Sequence, residues 1–315
     1  MIEIKQLVKR FGPFTAVDGV SFGVQKGEVV GFLGPNGAGK STTMKMVTGY
    51  LTPTSGTASV AGHDVTREPQ AVKETIGYLP EGAPAYPDMT PEGFLNFVAA
   101  VRGLNGKARK DRIAEVVRRV HLEGVMRQSI ETLSKGYKRR VGLAQAILHD
   151  PDVLIMDEPT DGLDPNQKHE VRTLIRDMAA RKAIVLSTHI LEEVEAVCTR
   201  AVVISRGKVI FDGTPGDFQQ RSRYYNAVNL TVRINGLSPE ALVREVQALP
   251  QVASVEGVSH DGGRIRCLVV AKNRVAIAPE IGGLARARGW EVDGLAIESG
   301  RMDDVFREMT TGGAR

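Results

Sequence analysis

The spacing of hydrophobic residues divides this chain into regions of different structure. Apolar and polar positions alternate at Ile2 and Ile4 and again over 17–24, which predicts antiparallel strands that lie beside the strand that follows. Short runs of consecutive apolar residues predict fully buried strands. These runs are Val29–Leu33, 153–156 and 183–186. Because such strands alternate with helical segments, we expect an α/β fold with a mostly parallel sheet covered on both faces.

A helical segment interrupts the α/β pattern at about 85–150. A threonine-proline pair at 90–91 has the form of a helix start, and apolar residues then recur at helical spacing. After a polar linker at 219–228, the order β-α-β-β-α-β over 229–315 predicts a small ferredoxin-like α+β domain. The first domain is expected to cover 1–218 and to contain both an antiparallel β subdomain and the helical insert.

The composition is that of a globular protein. Of 315 residues, 42% are hydrophobic and 25% are charged, and the net charge is +4. No apolar run approaches the ~20 residues that span a bilayer, and the N-terminus lacks the layout of a signal peptide. Basic residues are scattered among acids, which favours a solvated surface over nucleic-acid binding. The two cysteines, Cys198 and Cys267, have no metal-like spacing and fit a reducing cytosol.

A phosphate-binding loop lies between the strand at Val29–Leu33 and a helix predicted from residue 41. Glycines allow the backbone to approach a ligand closely, and the loop N–H groups and the helix N-terminus converge on phosphate oxygens. Lys40 is expected to bridge the β- and γ-phosphates of a nucleotide, and the Ser41 hydroxyl to hold Mg²⁺. The residues that fill the motif are Gly34, Pro35, Asn36, Gly37, Ala38, Gly39, Lys40, Ser41 and Thr42.

Two adjacent acids, Asp157 and Glu158, end the apolar strand at 153–156. Neighbouring carboxylates are costly to keep charged unless a cation or a polar reactant is bound beside them. In a phosphate-loop protein this pattern predicts that Asp157 binds Mg²⁺ through water. Glu158 is then expected to orient and polarise the attacking water.

Together these motifs make the chain resemble the ATP-binding subunit of an ABC transporter over about 1–218. The resemblance rests on the order and spacing of six elements. These are the phosphate loop, Glu81 at the end of a strand predicted over 74–81, Leu-Ser-Lys-Gly-Tyr at 133–137, the two acids, Asp164 and His189. It implies a RecA-like fold, ATP and Mg²⁺ as ligands, and hydrolysis of ATP to ADP and phosphate. Details of these segments resemble the exporter-type branch, including subunits for gliding motility and for drug or polysaccharide export.

The segment at 133–137 corresponds to the family's Leu-Ser-Gly-Gly-Gln signature. In that family the signature of one subunit closes over the ATP held by the phosphate loop of the other. The resemblance therefore implies that Ser134, Lys135, Gly136 and Tyr137 contact nucleotide across a head-to-tail dimer. Lys135 and Tyr137 depart from the family's glycine and glutamine.

The resemblance also assigns roles to four single residues. Glu81 occupies the place of a glutamine that senses Mg²⁺ and contacts the membrane partner, and Asp164 the place of a residue that communicates across the dimer. His189 corresponds to a switch histidine that touches the γ-phosphate and the catalytic Glu158. Phe11 corresponds to an aromatic that stacks on adenine. Structural alternatives stay open for all four. Glu81 is alternatively a surface acid after a proline, and Asp164 before a proline is also a good helix cap. A lone histidine such as His189 is more often structural, and a lone aromatic such as Phe11 is more often a core residue.

The function that the resemblance implies is that of a transport ATPase. Two copies would enclose two ATP and drive separate transmembrane permease chains from the cytoplasmic face of the inner membrane, without nucleic acid. The alternative is a soluble ABC-type ATPase that acts on nucleic acid or ribosomes, but such proteins usually carry two ATPase units or long insertions. A GTPase would need an Asn-Lys-x-Asp motif that this sequence lacks. For the C-terminal domain, dimer support and regulation by a ligand both remain open.

Overall fold

The protein is described by a computed structural model that covers residues 1–82, 85–234 and 236–311. Residues 235 and 312–315 of the predicted C-terminal domain lie outside the described residues. The chain divides into two compact units, Met1–Pro215 and Gly216–Arg315. Within the described residues, no helix has both the length and the apolar content that crossing a bilayer requires.

The first unit is built on two sheets. The strands of its described residues are β1 (Ile2–Phe11), β2 (Phe14–Val24), β3 (Val29–Leu33), β4 (Ser55–Val60), β5 (His63–Asp64), β6 (Ile76–Leu79), β7 (Val153–Asp157), β8 (Ala183–Thr188), β9 (Arg200–Ser205) and β10 (Lys208–Gly213). One sheet has the order β2-β1-β4-β5 and is antiparallel throughout. The other has the order β10-β9-β3-β8-β7-β6 and is parallel except for the pair β9–β10.

Helices connect these strands and cover the parallel sheet. They are α1 (Lys40–Val47), α2 (Pro69–Thr75), α3 (Pro91–Val101), α4 (Gly106–Arg119), α5 (Lys135–Ile147), α6 (Pro165–Ala179) and α7 (Leu191–Val197), with short 3-10 turns at Glu123–Val125 and Ile130–Thr132. Every residue of β3, β7 and β8 is buried. One core joins their side chains to those of α1 and of the antiparallel sheet. The prediction of a mostly parallel sheet with an antiparallel subdomain is confirmed.

Two local predictions were wrong. The first strands of the chain are not paired with β3, because β8 and β9 occupy both of its edges and β1 pairs with β2 and β4 in the separate sheet. That sheet packs against the parallel one instead, with the Phe22 and Phe32 ring centroids 5.2 Å apart. The strand predicted over 74–81 is shorter, since its first two residues end helix α2, which starts at Pro69. A proline in the first helical turn favours such a start.

The helical insert contains α3, α4 and α5. Helix α3 begins as its sequence indicates: the Thr90 hydroxyl accepts a hydrogen bond of 3.1 Å from the Gly93 N–H, and Pro91 occupies the first position. The apolar residues of α4 that recur at helical spacing, Ile113, Val116 and Val117, are buried. Helix α5 also has a largely buried face and starts directly after Ser134.

The second unit has the ferredoxin-like element order. Its elements are α8 (Pro215–Gln219) at the boundary, β11 (Val228–Arg233), α9 (Pro239–Gln247), β12 (Val252–Asp261), β13 (Arg264–Ala271), α10 (Ala278–Ala287), β14 (Val292–Ile297) and α11 (Met302–Thr311), with a 3-10 turn at Lys272–Arg274. The antiparallel sheet has the order β12-β13-β11-β14, and its inner face packs on α9 and α10 around Leu230, Leu242 and Ile281. The segment 219–228, predicted as a linker, contains the buried residues Tyr224 and Ala227.

Candidate functional site

The site lies at the carboxyl edge of the parallel sheet. Strands β3, β6, β7 and β8 run in the same direction, so the segments that follow them meet at one edge. The phosphate loop follows β3, Glu81 follows β6, Glu158 follows β7 and His189 follows β8. Four segments that are far apart in sequence are brought together by the topology.

The phosphate loop is shaped by glycines at close backbone contacts. A Cβ at Gly34 would lie 2.4 Å from the carbonyl oxygen of Ile204, and a Cβ at Gly39 would lie 2.5 Å from that of Ala16. Gly39 also has φ +106°, a conformation that side chains rarely adopt. No side chain caps α1, so the N–H groups of its first turn are available to an anion.

Lys40 is buried at the start of α1, with a side chain that bends back over the loop. Its Nζ donates to the carbonyl oxygens of Gly34 at 2.7 Å and Pro35 at 3.2 Å. Burial lowers the pKa of Lys40, and the negative charges of Glu158, Asp157 and Glu81 act in the opposite direction. A buried cation whose charged form is favoured by carboxylates of the same edge is suited to neutralise phosphate oxygens at this position.

Asp157 is fully buried at the end of β7. One carboxylate oxygen accepts a hydrogen bond from the Ser187 hydroxyl of β8. The other, Oδ2, is buried and has no hydrogen-bond partner among the described residues. An unpartnered buried carboxylate oxygen is costly unless a cation binds it, and Mg²⁺ prefers such oxygen ligands. Asp157 therefore fits a magnesium ligand, together with the partly exposed Ser41 hydroxyl at the start of α1.

Glu158 and His189 form a hydrogen-bonded pair. The distance from Glu158 Oε1 to His189 Nδ1 is 2.9 Å. The glutamate side chain is 18% exposed and the histidine 49%, so the pair is open to solvent on one side. Such a pair can accept a proton from water or hold a water in place, which is the chemistry predicted for these two residues.

Three polar residues that the sequence analysis did not single out organise this edge. Arg139 of α5 donates to the backbone carbonyl oxygens of Pro80, Asp157 and Glu158. Ser187 bonds both Asp157 and the backbone N–H of Glu158. The polar pair Ser187-Thr188 at the end of an otherwise apolar strand was a sequence signal for hydrogen bonding at this edge. Arg139 had no such local signal, because its contacts join distant parts of the sequence.

The third of these residues, Glu193, connects two segments beside the site. Its carboxylate accepts hydrogen bonds from the Thr160 hydroxyl and, at 2.9 Å, from the Thr188 hydroxyl. It is 2% exposed, and burial raises its pKa. It thereby joins the turn after Glu158 to the strand end before His189.

The signature turn at 133–137 is the N-terminus of α5. The Ser134 hydroxyl accepts from the Tyr137 N–H at 3.3 Å, and both Ser134 and Lys135 are exposed. Lys135 pairs with Asp161 of its own chain at 2.8 Å, and a Cβ at Gly136 would meet the side chain of Gln167 at 2.5 Å. Among the described residues, this turn contacts Asp161 and Gln167 and not the phosphate loop of its own chain.

The remaining predicted residues lie at the rim. Glu81 is exposed, and its charge acts on Lys40. Asp164 caps α6 by accepting from the Gln167 N–H at 2.9 Å, so its structural role is present and its predicted role across a dimer stays a prediction. Phe11, in β1, is 49% exposed rather than in the core, with Lys9 Nζ 5.2 Å from the ring centroid.

Comparison with known proteins gives a consistent family. The profile described as "ABC transporter" matches residues 17–161. The chain is 40% identical over 223 residues to the probable multidrug ABC transporter ATP-binding protein YbhF of Escherichia coli, covering 70% of this chain and 38% of that protein. It therefore spans well under half the length of that relative. It is 32% identical over 311 residues to the linearmycin resistance ATP-binding protein LnrL of Bacillus subtilis, covering 98% of both.

Solved structures show the same fold. An ATP-binding subunit of an ABC transporter has a TM-score of 0.66 and 32% identity, covering 70% of this chain and 92% of that chain. A bacterial ABC transporter cassette solved as a dimer has a TM-score of 0.64 and 23% identity, covering 68% of this chain and 99% of that chain.

Proposed function

This chain belongs to the ABC transporter family, and we propose that it is the ATP-hydrolysing motor subunit of an export-type membrane transporter. The observation that carries the proposal is the convergence at one sheet edge of three groups. These are the buried cation Lys40, the carboxylate of Asp157 with an unpartnered oxygen, and the pair of Glu158 with His189. Binding a triphosphate, neutralising its charge and activating water require this set of groups.

The chemistry follows from the positions of these residues. The loop N–H groups and Lys40 neutralise the phosphates, and Glu158 orients a water and draws its proton while His189 holds the carboxylate by a hydrogen bond. No covalent intermediate is needed, because positioning and charge stabilisation suffice for phosphoryl transfer to water. Mg²⁺, held by Asp157 and Ser41 with Glu81 at the rim, would neutralise further negative charge on the nucleotide.

A head-to-tail dimer gives the signature turn its function. Ser134 lies exposed at the N-terminus of α5, where N–H groups and the helix dipole favour an anion. Because the described contacts of this turn are with Asp161 and Gln167 rather than with its own phosphate loop, the anion is most simply the nucleotide of a second copy. The dimeric cassette among the solved structures supports this arrangement.

A cavity beside the helical insert is the proposed docking site for the permease. It has a volume of about 790 Å³ and is lined by residues of α3 and β6 and by His149. Tyr50, Phe97 and Val101 on its rim are 68%, 46% and 70% exposed. Exposed apolar residues grouped around a cavity mark an interaction surface. A permease segment bound here would place this subunit at the cytoplasmic face of the inner membrane, and the relatives named for multidrug and linearmycin resistance favour export.

Hydrolysis is tested with the substitution Glu158→Gln in the full chain. We expect wild-type protein to hydrolyse ATP and the variant to lose steady-state turnover while its ATP affinity is unchanged, since the amide keeps the shape and loses the base. General-base catalysis contributes about 10²–10⁴-fold, so the loss is expected in that range. Turnover that stays at the wild-type level would remove the role of Glu158.

Dimerisation is tested by size-exclusion chromatography in the Glu158→Gln background with ATP. We expect an ATP-dependent dimer, and we expect the added substitution Ser134→Arg to abolish it while nucleotide still binds. Ala114→Arg, an exposed position on α4 of the same insert, is the matched control. A normal dimer in the Ser134→Arg variant would contradict the shared site.

Docking is tested by co-purification from membranes. Val101→Glu at the cavity rim should abolish membrane association and leave the ATPase activity of the isolated subunit unchanged. Val258→Glu, a position of the second unit that is 41% exposed, is the control. Membrane association that survives Val101→Glu would exclude this surface.

A further inference from the structure

Arg139 is a buried arginine whose described hydrogen bonds all go to backbone. It lies on α5, in the turn that follows the signature, and is 5% exposed. Its guanidinium donates to the carbonyl oxygen of Pro80 at 3.1 Å and to those of Asp157 and Glu158. One side chain of the helical insert therefore holds backbone groups of two segments of the catalytic edge.

The backbone of Glu158 needs such support. Its φ is +49°, in the left-handed region that residues other than glycine rarely adopt. The Ser187 carbonyl oxygen accepts from the Glu158 N–H at 3.1 Å, and Arg139 satisfies the Glu158 carbonyl oxygen. Because both backbone groups of the residue are hydrogen-bonded, the direction in which its side chain leaves the backbone is fixed, and the carboxylate reaches His189 from that position.

The second segment reaches the other side of the site. Pro80 precedes Glu81, whose charge acts on Lys40. The same guanidinium thus connects the start of α5 with the turn that carries Glu158 and with the segment that carries Glu81. Arginine suits this position because its planar fork carries five donors, whereas a lysine ammonium is a single point of contact.

We infer that Arg139 is a positioning residue that holds Glu158 in its reactive conformation and makes the orientation of that carboxylate depend on the position of α5. The inference rests on the proposed function, since it assigns Arg139 an effect on hydrolysis that acts through Glu158. Arg139 itself does not touch the reacting atoms.

The neighbouring Arg140 provides a matched control. It is also buried, at 7% exposure, and donates to the Val120 carbonyl oxygen at 3.2 Å and to Glu170 at 2.7 Å. These bonds are structural and do not reach Glu158. A lysine substitution at either position keeps the positive charge but has a shorter side chain, which cannot make all of the guanidinium's hydrogen bonds.

The first experiment compares Arg139→Lys and Arg140→Lys in the full chain by steady-state ATPase kinetics, ATP affinity and thermal unfolding. We expect Arg139→Lys to lower kcat by ~10-fold or more, up to the about 10²–10⁴-fold that loss of a general base costs, with ATP affinity changed less than about threefold. Arg140→Lys should lower the unfolding temperature by about as much as Arg139→Lys does, but should not lower kcat in this way. Arg139→Gln is the second variant; if neither Arg139 variant folds while Arg140→Lys does, the guanidinium is structural and the inference is overturned.

The second experiment asks whether Arg139 acts through Glu158. In the Glu158→Gln background, single-turnover assays with labelled ATP measure the residual rate. Adding Arg139→Lys should then reduce that rate by less than about twofold, because the group that it positions is already gone. An equal loss in both backgrounds would overturn the inference.

The outcomes separate this inference from the function on which it rests. Wild-type protein that does not hydrolyse ATP would remove the proposed function and this inference with it. Wild-type protein that hydrolyses ATP, with an Arg139→Lys variant of equal kcat, would remove the inference alone.

Discussion

His149 makes the stability of the first unit depend on pH. The ring is half-buried after α5, and its Nε2 lies 3.0 Å from the Ile76 carbonyl oxygen. Burial, and then the positive charges of Arg102, Lys182 and Arg112, lower the pKa of His149 from 6.5 to about 4. In the folded protein the ring is therefore neutral at pH 5, whereas in the unfolded chain it is charged.

The sign and size of the effect follow from linkage. Between about pH 6.5 and pH 4 the His149 ring is protonated in the unfolded state and neutral in the folded state. The contribution of the neutral ring to the free energy of unfolding is therefore complete above pH 6.5 and is lost as the pH falls through this window. The pKa values of the unfolded and folded states give a loss of about 2 kcal/mol in the free energy of unfolding at pH 5 relative to pH 7.5. Since the ring is partly open to solvent, about 1–2 kcal/mol is expected, or roughly 2–8 °C in unfolding temperature for a unit of this size.

The assay is calorimetric unfolding of wild-type protein and His149→Gln at pH 7.5 and pH 5. Other groups titrate in this range, so the quantity of interest is the difference between the two proteins in their loss of stability. On acidification from pH 7.5 to pH 5, His149→Gln should lose about 1–2 kcal/mol less of its free energy of unfolding than wild type does. His169→Gln, at an exposed position on α6, should behave as wild type. If His149→Gln loses as much stability as wild type, the pKa of His149 is not lowered in the folded state and the reasoning fails.

Two single contacts and the division into two units give three further predictions. Gly34→Ala should destabilise the protein by about 1–3 kcal/mol and weaken ATP binding, because the new Cβ would meet a backbone oxygen. Gly124→Ala, where a Cβ would enter open space, should change neither stability nor ATP binding. Equal unfolding temperatures of the two variants would refute this prediction. Deletion of 216–315 should leave a first unit that folds cooperatively and binds ATP, as circular dichroism and nucleotide titration would show, and an insoluble product would contradict it. Lys135→Gly should change the free energy of unfolding by less than about 1 kcal/mol, because the ion pair of Lys135 with Asp161 is exposed. In a hydrolysis-deficient background it should raise severalfold the ATP concentration needed for dimerisation. If that concentration is unchanged, Lys135 does not approach the nucleotide.

The sequence predicts the parts of the site that local pattern determines. The phosphate loop between β3 and α1 was identifiable because its glycines, its lysine and its setting all occur within a few neighbouring residues. The adjacent acids that end the β7 segment were identifiable because neighbouring carboxylates at a strand end indicate a bound cation. His189 after β8 was assigned through the family resemblance and its place just past a predicted core strand. The bounds of β6 were not, since no glycine or proline separates it from α2 and a helix passes directly into a strand at Ile76.

Contacts between distant side chains were beyond the sequence pattern. Arg139 is one of several basic residues after the signature, and periodicity places it on a helix without showing that its guanidinium reaches carbonyl oxygens 18 and 59 positions away. Glu193 likewise follows another acid, and only the packing of α7 on the sheet buries it against Thr160 and Thr188. A buried charge is informative once its partners are known, and the fold determines the partners.

Helix α5 connects the two nucleotide positions of the proposed dimer. In that dimer its exposed N-terminus, at Ser134, would face the nucleotide of the second copy. Arg139 lies five residues later, or about 7.5 Å along the helix axis, and holds the turn that carries Glu158 in the same chain. A helix that is rigid over this distance transmits a shift at its N-terminus to Arg139 with little loss. In the proposed dimer we therefore expect closure of the partner's nucleotide on Ser134 to act on the geometry of Glu158, so that hydrolysis at one position would depend on occupancy of the other.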